Sequence, residues 1–72
     1  MDNEYQAKVD EAKEYILTQY SEVWDTTEVQ EVFKITSFSA PFCSAVRRVD
    51  QKKGTLEFGN FPGRVYFNWH SR

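Results

Sequence analysis

The sequence predicts an α+β domain in which three helices are followed by a C-terminal β-hairpin. Three observations carry this reading. Apolar residues recur at helical spacing over residues 4–23. A second stripe at helical spacing runs through the segment from Pro41 to Lys53. After Gly54 the pattern changes to alternation, in two short runs separated by the turn-rich pentapeptide GNFPG.

In the first segment Tyr5, Val9, Ala12, Ile16, Tyr20 and Val23 lie within about 80° of helical arc. Asp2 or Asn3 can cap its start, and Glu4 falls in the first turn, where the helix dipole favours a carboxylate. The opposite side carries Asp10, Glu11, Glu14 and Glu22. Val23-Trp24-Asp25 interrupts this pattern and reads as a short extended segment with Trp24 pinned into the core. Asp25 with Glu28, or Thr27 with Gln30, has the spacing of a capping box, so a short second helix is expected over 27–34. Val29, Val32 and Phe33 form its apolar face, and Ile35 follows.

Thr36-Ser37-Phe38-Ser39 reads as the turn into a third helix, with Pro41 in its first turn and Ser39 or Ala40 as its cap. Stepping 100° per residue, Phe42, Ala45, Val46 and Val49 fall in one arc about 100° wide. Ala40, Ser44, Arg47 and Gln51 lie opposite, with Arg48 and Lys52 flanking, and Gly54 closes the helix. In the hairpin, Leu56 and Phe58 share one strand face, and Val65, Phe67 and Trp69 share one face of the next strand.

The 72 residues make a single domain, 1–72, near the size at which one core suffices. Cys43 is the only cysteine and His70 the only histidine, so neither a disulfide nor a structural zinc site can form within one chain. Aromatic residues, 17% of the chain, supply large buried areas in their place. No catalytic constellation and no phosphate loop is visible, so an enzyme is not expected, nor a cofactor or small-molecule substrate. Cys43 falls near the N-terminus of the third helix, where the dipole would lower a thiol pKa; it also reads as a semi-buried filler. Without a long apolar run or a leader-like start, a soluble cytoplasmic protein is expected, with no membrane partner.

The net charge of −2 hides an asymmetry. Residues 1–36 hold nine acids and three bases, and residues 37–72 hold six bases and two acids. Such a chain can present a basic end to an anionic partner.

The order of elements, with the residues DTTEVQEVFKITSFSAPFCSAVRRVDQKKGTLEF and GRVYF, resembles the winged helix-turn-helix family of DNA-binding domains over residues 25–67. The resemblance implies a small prokaryotic or phage regulator of transcription that binds double-stranded DNA, with its third helix in the major groove and the hairpin as a wing. Ser44, Arg47, Arg48 and Gln51 would then face bases and phosphates, with Lys52 toward the phosphates. Ser37 and Ser39 would touch backbone at the helix start, and Asn60 and Arg64 would act from the wing. A weak homodimer is expected, with Tyr15, Leu17 and Trp69 as candidates for the pairing surface. Two other functions remain open: a protein-binding module, and a small acidic inhibitor using the row of Asp10, Glu11, Glu14 and Glu22.

Overall fold

The computed structural model of the chain describes residues 3–72, with side chains described from residue 4 onward. Asp2 and the side chain of Asn3, the two expected caps of the first helix, fall outside the described residues. The order is helix α1 (Asn3–Leu17), strand β1 (Val23–Asp25), helix α2 (Thr26–Val32) and strands β2 (Phe33–Ser39), β3 (Phe42–Arg47), β4 (Lys52–Asn60) and β5 (Arg64–Ser71). All five strands form one antiparallel sheet in the order β1-β5-β4-β3-β2.

This corrects the three-helix winged helix. The segment expected to be the turn and the third helix is the β2–β3 hairpin, followed by the turn into β4. Pro41 lies in the β2–β3 connection, after a cis peptide bond to Ala40, and not in a helical first turn. The physical reason is that residues 33–47 also satisfy a period of two. Phe33, Ile35, Cys43 and Ala45 point to one face of the sheet, where Cys43 stands opposite Leu56 and Ala45 opposite Gly54. The helical reading needed Val49 in the core. In the structure Val49 sits in the β3–β4 turn and is 86% exposed. Gln51, at φ 59, helps close that turn.

The first helix ends at Leu17, earlier than its apolar spacing suggests. The Thr18 hydroxyl donates to the Tyr15 carbonyl oxygen (2.6 Å), and the Gln19 and Tyr20 N–H groups both donate to Ile16 O, which closes the last turn. Val9, Ala12 and Ile16 are buried, as their spacing predicts, whereas Tyr5 is exposed. Tyr20 and Val23 still pack against the same cluster from outside the helix.

α2 starts at Thr26, one residue before the expected start, and ends at Val32, so that Phe33 and Lys34 open β2. The Glu28 N–H donates to Asp25 Oδ1 (2.7 Å), and the Asp25 N–H donates to Glu28 Oε1 (3.1 Å). The capping box is therefore the Asp25–Glu28 pair. Lys13 of α1 reaches both carboxylates, 3.3 Å from Asp25 Oδ2 and 2.5 Å from Glu28 Oε1. Burial disfavours the Lys13 charge, but these two hydrogen bonds more than offset it and raise its pKa.

The sheet has two unlike faces. α1 covers the β5–β1 half of the outer face, where Ala12 and Ile16 meet Val65 and Phe67. The inner face holds Val29, Phe33, Cys43, Ala45, Leu56 and Tyr66, with Trp24, Val32, Ile35, Phe58 and Trp69 around them. α2 packs against both β1 and β2, the two edge strands. A seven-residue helix is only about 10 Å long, whereas five strands laid flat put their edges about 19 Å apart. The sheet is therefore curled around the inner core. Trp24 on one edge strand meets Phe33 on the other, with ring centroids 5.1 Å apart.

The β4–β5 hairpin is present, with one change of face. Val65 and Phe67 lie under α1, but Asn68 takes φ 56 at a register shift opposite Thr55–Glu57. That bulge turns Trp69 to the inner side, where its ring lies 4.6 Å from that of Phe33.

Cys43 lies on β3 and not in the first turn of a helix, and it is 1% exposed. Burial pushes its thiol pKa up, the reverse of activation. An Ellman assay is expected to find no reactive thiol in native buffer and one full equivalent in denaturant. Rapid reaction of the folded protein would contradict this packing.

Candidate functional site

The half of the outer face not covered by α1 belongs to β2, β3 and β4. Residues paired directly across a sheet share a face, and here the pairing lines up one row. Lys34 of β2 stands opposite Val46 of β3, which stands opposite Lys53 of β4. The Arg72 N–H donates to Lys53 O (2.8 Å), so Arg72 continues the row one position beyond the Gly54–Ser71 pair. Adjacent strands lie about 4.8 Å apart, so Lys34 and Lys53 stand roughly 10 Å apart with Val46 between them.

Two adjoining depressions flank this row. One, of about 220 Å³, is lined by Thr36, Ser44, Val46, Lys53, Gly54 and Arg72, with Ala45. The other, of about 210 Å³, is lined by Lys34, Thr36, Val46, Arg48 and Gln51. Hydroxyl groups fill the space between the cations. Thr36, the extra residue of a β-bulge in β2, donates through Oγ1 to Ser44 O (3.3 Å), and Arg72 donates to Ser44 Oγ (3.4 Å). The Arg48 guanidinium donates to Gln30 O (2.8 Å), which fixes it at the rim.

Among the described residues, Lys34, Arg48, Lys53 and Arg72 form no ion pair with a carboxylate. Other cations are differently placed. Lys13 is neutralised by Asp25 and Glu28, and Arg47 by Asp50. Arg47 is bidentate to Asp50, Nε at 3.1 Å and Nη2 at 2.7 Å, and its guanidinium lies 5.7 Å from the Trp69 ring centroid. The Arg47 hydrogen bond, with the Lys52 N–H as a second donor, holds the Asp50 carboxyl down at about 2.

The residues expected to meet DNA are thus divided among four places. Ser37, Ser39 and Ser44 lie on β2 and β3, with Ser37 opposite Ser44 and Ser39 opposite Phe42, on the face of the cation row. Arg48 and Gln51 sit in the β3–β4 turn at the rim, where Gln51 Nε2 donates to Arg48 O (3.0 Å). Arg47 and Lys52 pair with each other across β3–β4 on the inner side, and Arg47 is held by Asp50. Asn60 at the end of β4 and Arg64 at the start of β5 pair at the opposite end of that hairpin, where Arg64 Nε donates to Asn60 Oδ1 (3.3 Å) and its guanidinium lies 5.0 Å from the Phe58 centroid. No helical surface presents Ser44, Arg47 and Gln51 together. Lys34, Lys53, Arg72 and Thr36 were not among the expected contacts. Lys34 and Lys53 lie in segments with a helical reading, Thr36 in the expected turn and Arg72 beyond the hairpin, so no single period joins them in the sequence.

Tyr15 and Leu17 are exposed, and Tyr15 stacks on Phe61 (5.9 Å). Trp69 is not beside them, because it is committed to Phe33 and Arg47. Among the described residues no helix is long and apolar enough to cross a membrane, and no cluster of three or more His, Cys, Asp or Glu side chains is placed to hold a metal ion. In comparisons with known proteins, no family model, no curated sequence and no solved structure matches the chain.

Proposed function

We propose that the protein binds nucleic acid, with the phosphate backbone docked on the outer face of β2–β4. The observation that carries this reading is the row Lys34, Val46, Lys53 and Arg72, with Arg48 at its rim and, among the described residues, no carboxylate ion-paired to it. Like charges side by side on a sheet repel one another, and an anionic ligand across the row removes that cost. Serine and threonine hydroxyls between the cations can donate to phosphate oxygens. The acidic outward side of α1 lies on the other half of the domain and gives the molecule an orientation in the field of a polyanion. Among the described residues no third helix is present to read duplex bases, so recognition falls to the sheet. A cytoplasmic site of action is part of this proposal.

The test is fluorescence anisotropy with labelled DNA and RNA oligonucleotides at two salt concentrations. Lys34→Ala, Lys53→Ala and Arg72→Ala are each expected to weaken binding and reduce the salt slope by about 0.7–0.9. Arg64→Ala, at the start of β5 and far from the row, is expected to leave both unchanged. Binding that ignores the three row variants, or follows Arg64, would refute the assignment.

A further inference from the structure

Resting on that nucleic-acid reading, we infer that the ligand is single-stranded, and that Phe42 is the platform on which one of its bases stacks. Phe42 is the first residue of β3 and stands on the same face as Ser44 and Val46, because Cys43 and Ala45 between them point inward. It is 46% exposed. Among the described residues its ring meets no other aromatic ring, whereas nearby Phe38 is engaged edge-on with Phe58 (5.3 Å). An unpartnered phenyl face on a solvent-facing sheet costs solubility and adds nothing to the inner core.

The charges around Phe42 orient a ligand. Glu57 stands directly opposite Phe42 on β4 and accepts from Asn68 Nδ2 (3.4 Å). Its carboxylate repels phosphates from this end of the face, while Lys53, Arg72 and Lys34 attract them to the other. Arg72 reaches Ser44 Oγ, and Ser44 lies two residues, about 7 Å, from Phe42 along β3. A phosphate on Arg72 therefore leaves the attached base free to reach the Phe42 ring. Only an unpaired base offers its π-face to a side chain in this way, since a duplex keeps its bases stacked on one another. The cations hold the backbone and the phenyl group selects the unpaired strand.

The experiment compares a labelled oligothymidylate with a duplex of equal length, using the intact protein. The single strand is expected to bind more tightly. Phe42→Ala should weaken it by about 5- to 150-fold with the salt slope unchanged. Phe42→Trp should restore binding, and Phe42→Leu, which keeps an apolar group but no π-face, should not. Circular dichroism melts of each variant show that the fold is retained. Photo-cross-linking of a 5-bromodeoxyuridine oligonucleotide should map to Phe42. A duplex that binds as tightly as the single strand, with Phe42→Ala silent and Lys53→Ala weakened, would overturn this inference and leave the nucleic-acid reading standing. Failure of both ligands to bind would remove both.

Discussion

Phe33→Ala is expected to leave the chain largely unfolded at physiological temperature. Phe33 is 1% exposed and sits where α2 passes into β2, so its ring joins the two edges of the curled sheet. Trp24 packs against it edge-on at 5.1 Å and Trp69 at 4.6 Å. Removing a buried phenyl group costs about 3–5 kcal/mol through lost transfer energy and the cavity left behind. The aromatic pairings add further to that loss. A domain of this length has a total stability of roughly 4–11 kcal/mol, so one substitution removes a large share of it. The same change should release the two tryptophans into solvent, which a red shift of intrinsic fluorescence reports together with a urea melt. Phe33→Leu, which refills much of the volume, should retain a cooperative transition. An unchanged urea midpoint for Phe33→Ala would mean that β1 and β2 are not held together through this ring.

How much of this fold is legible in the sequence depends on how far apart the deciding contacts lie. The Asp25–Glu28 capping box joins residues three apart, and the spacing offers it with Thr27–Gln30 as the one alternative. The β4–β5 hairpin is similarly local, with turn formers between two alternating runs. The segment from Phe33 to Lys53 is different. Phe42, Ala45, Val46 and Val49 satisfy a helical period, while Cys43 and Ala45 satisfy a period of two, and nothing within the segment decides between them. The decision comes from outside it, from Leu56 and Gly54 on β4 and Val29 on α2. Trp69 is displaced for a related reason. Alternation counts it with Val65 and Phe67 until the positive φ of Asn68 moves it to the other face. The candidate site suffers most from this ambiguity, because the choice of period decides which charges share a surface. The helical reading puts Arg47 mid-face and Arg48 on the flank, yet Arg47 is bound by Asp50 and it is Arg48 that opens onto the cation row.

Gly54→Ala should be far more damaging than its size suggests, and in a way that reaches the binding face. Gly54 lies inside β4, opposite Ala45 on one side and Ser71 on the other, and not at the end of a helix. A Cβ there would stand 2.2 Å from His70 O, 2.6 Å from Trp69 Cη2 and 2.9 Å from Ser71 Cα. Two of these are backbone atoms of β5, so no side-chain rotation relieves the clash. The φ of Gly54 is not positive, so alanine carries no conformational penalty of its own there and would be neutral or better in an open strand. The whole effect therefore comes from the close approach of β5. Overpacking of this kind costs about 1–3 kcal/mol, and more where backbone must move. The expected response is separation of the last residues of β5 from β4, which breaks the Arg72 N–H to Lys53 O bond and takes Arg72 out of the cation row. Hydrogen exchange should show lost protection at Arg72, while α2 and the Asp25–Glu28 cap stay protected, and nucleic-acid affinity should fall with it. Gly59→Ala is the comparison. Its Cβ would meet the edge of the Phe61 ring at 2.7 Å, the movable end of a side chain, so only a small loss is expected. If Gly54→Ala melts like the parent protein with Arg72 still protected, the tight β4–β5 contact, and the placement of Arg72 that depends on it, would be wrong.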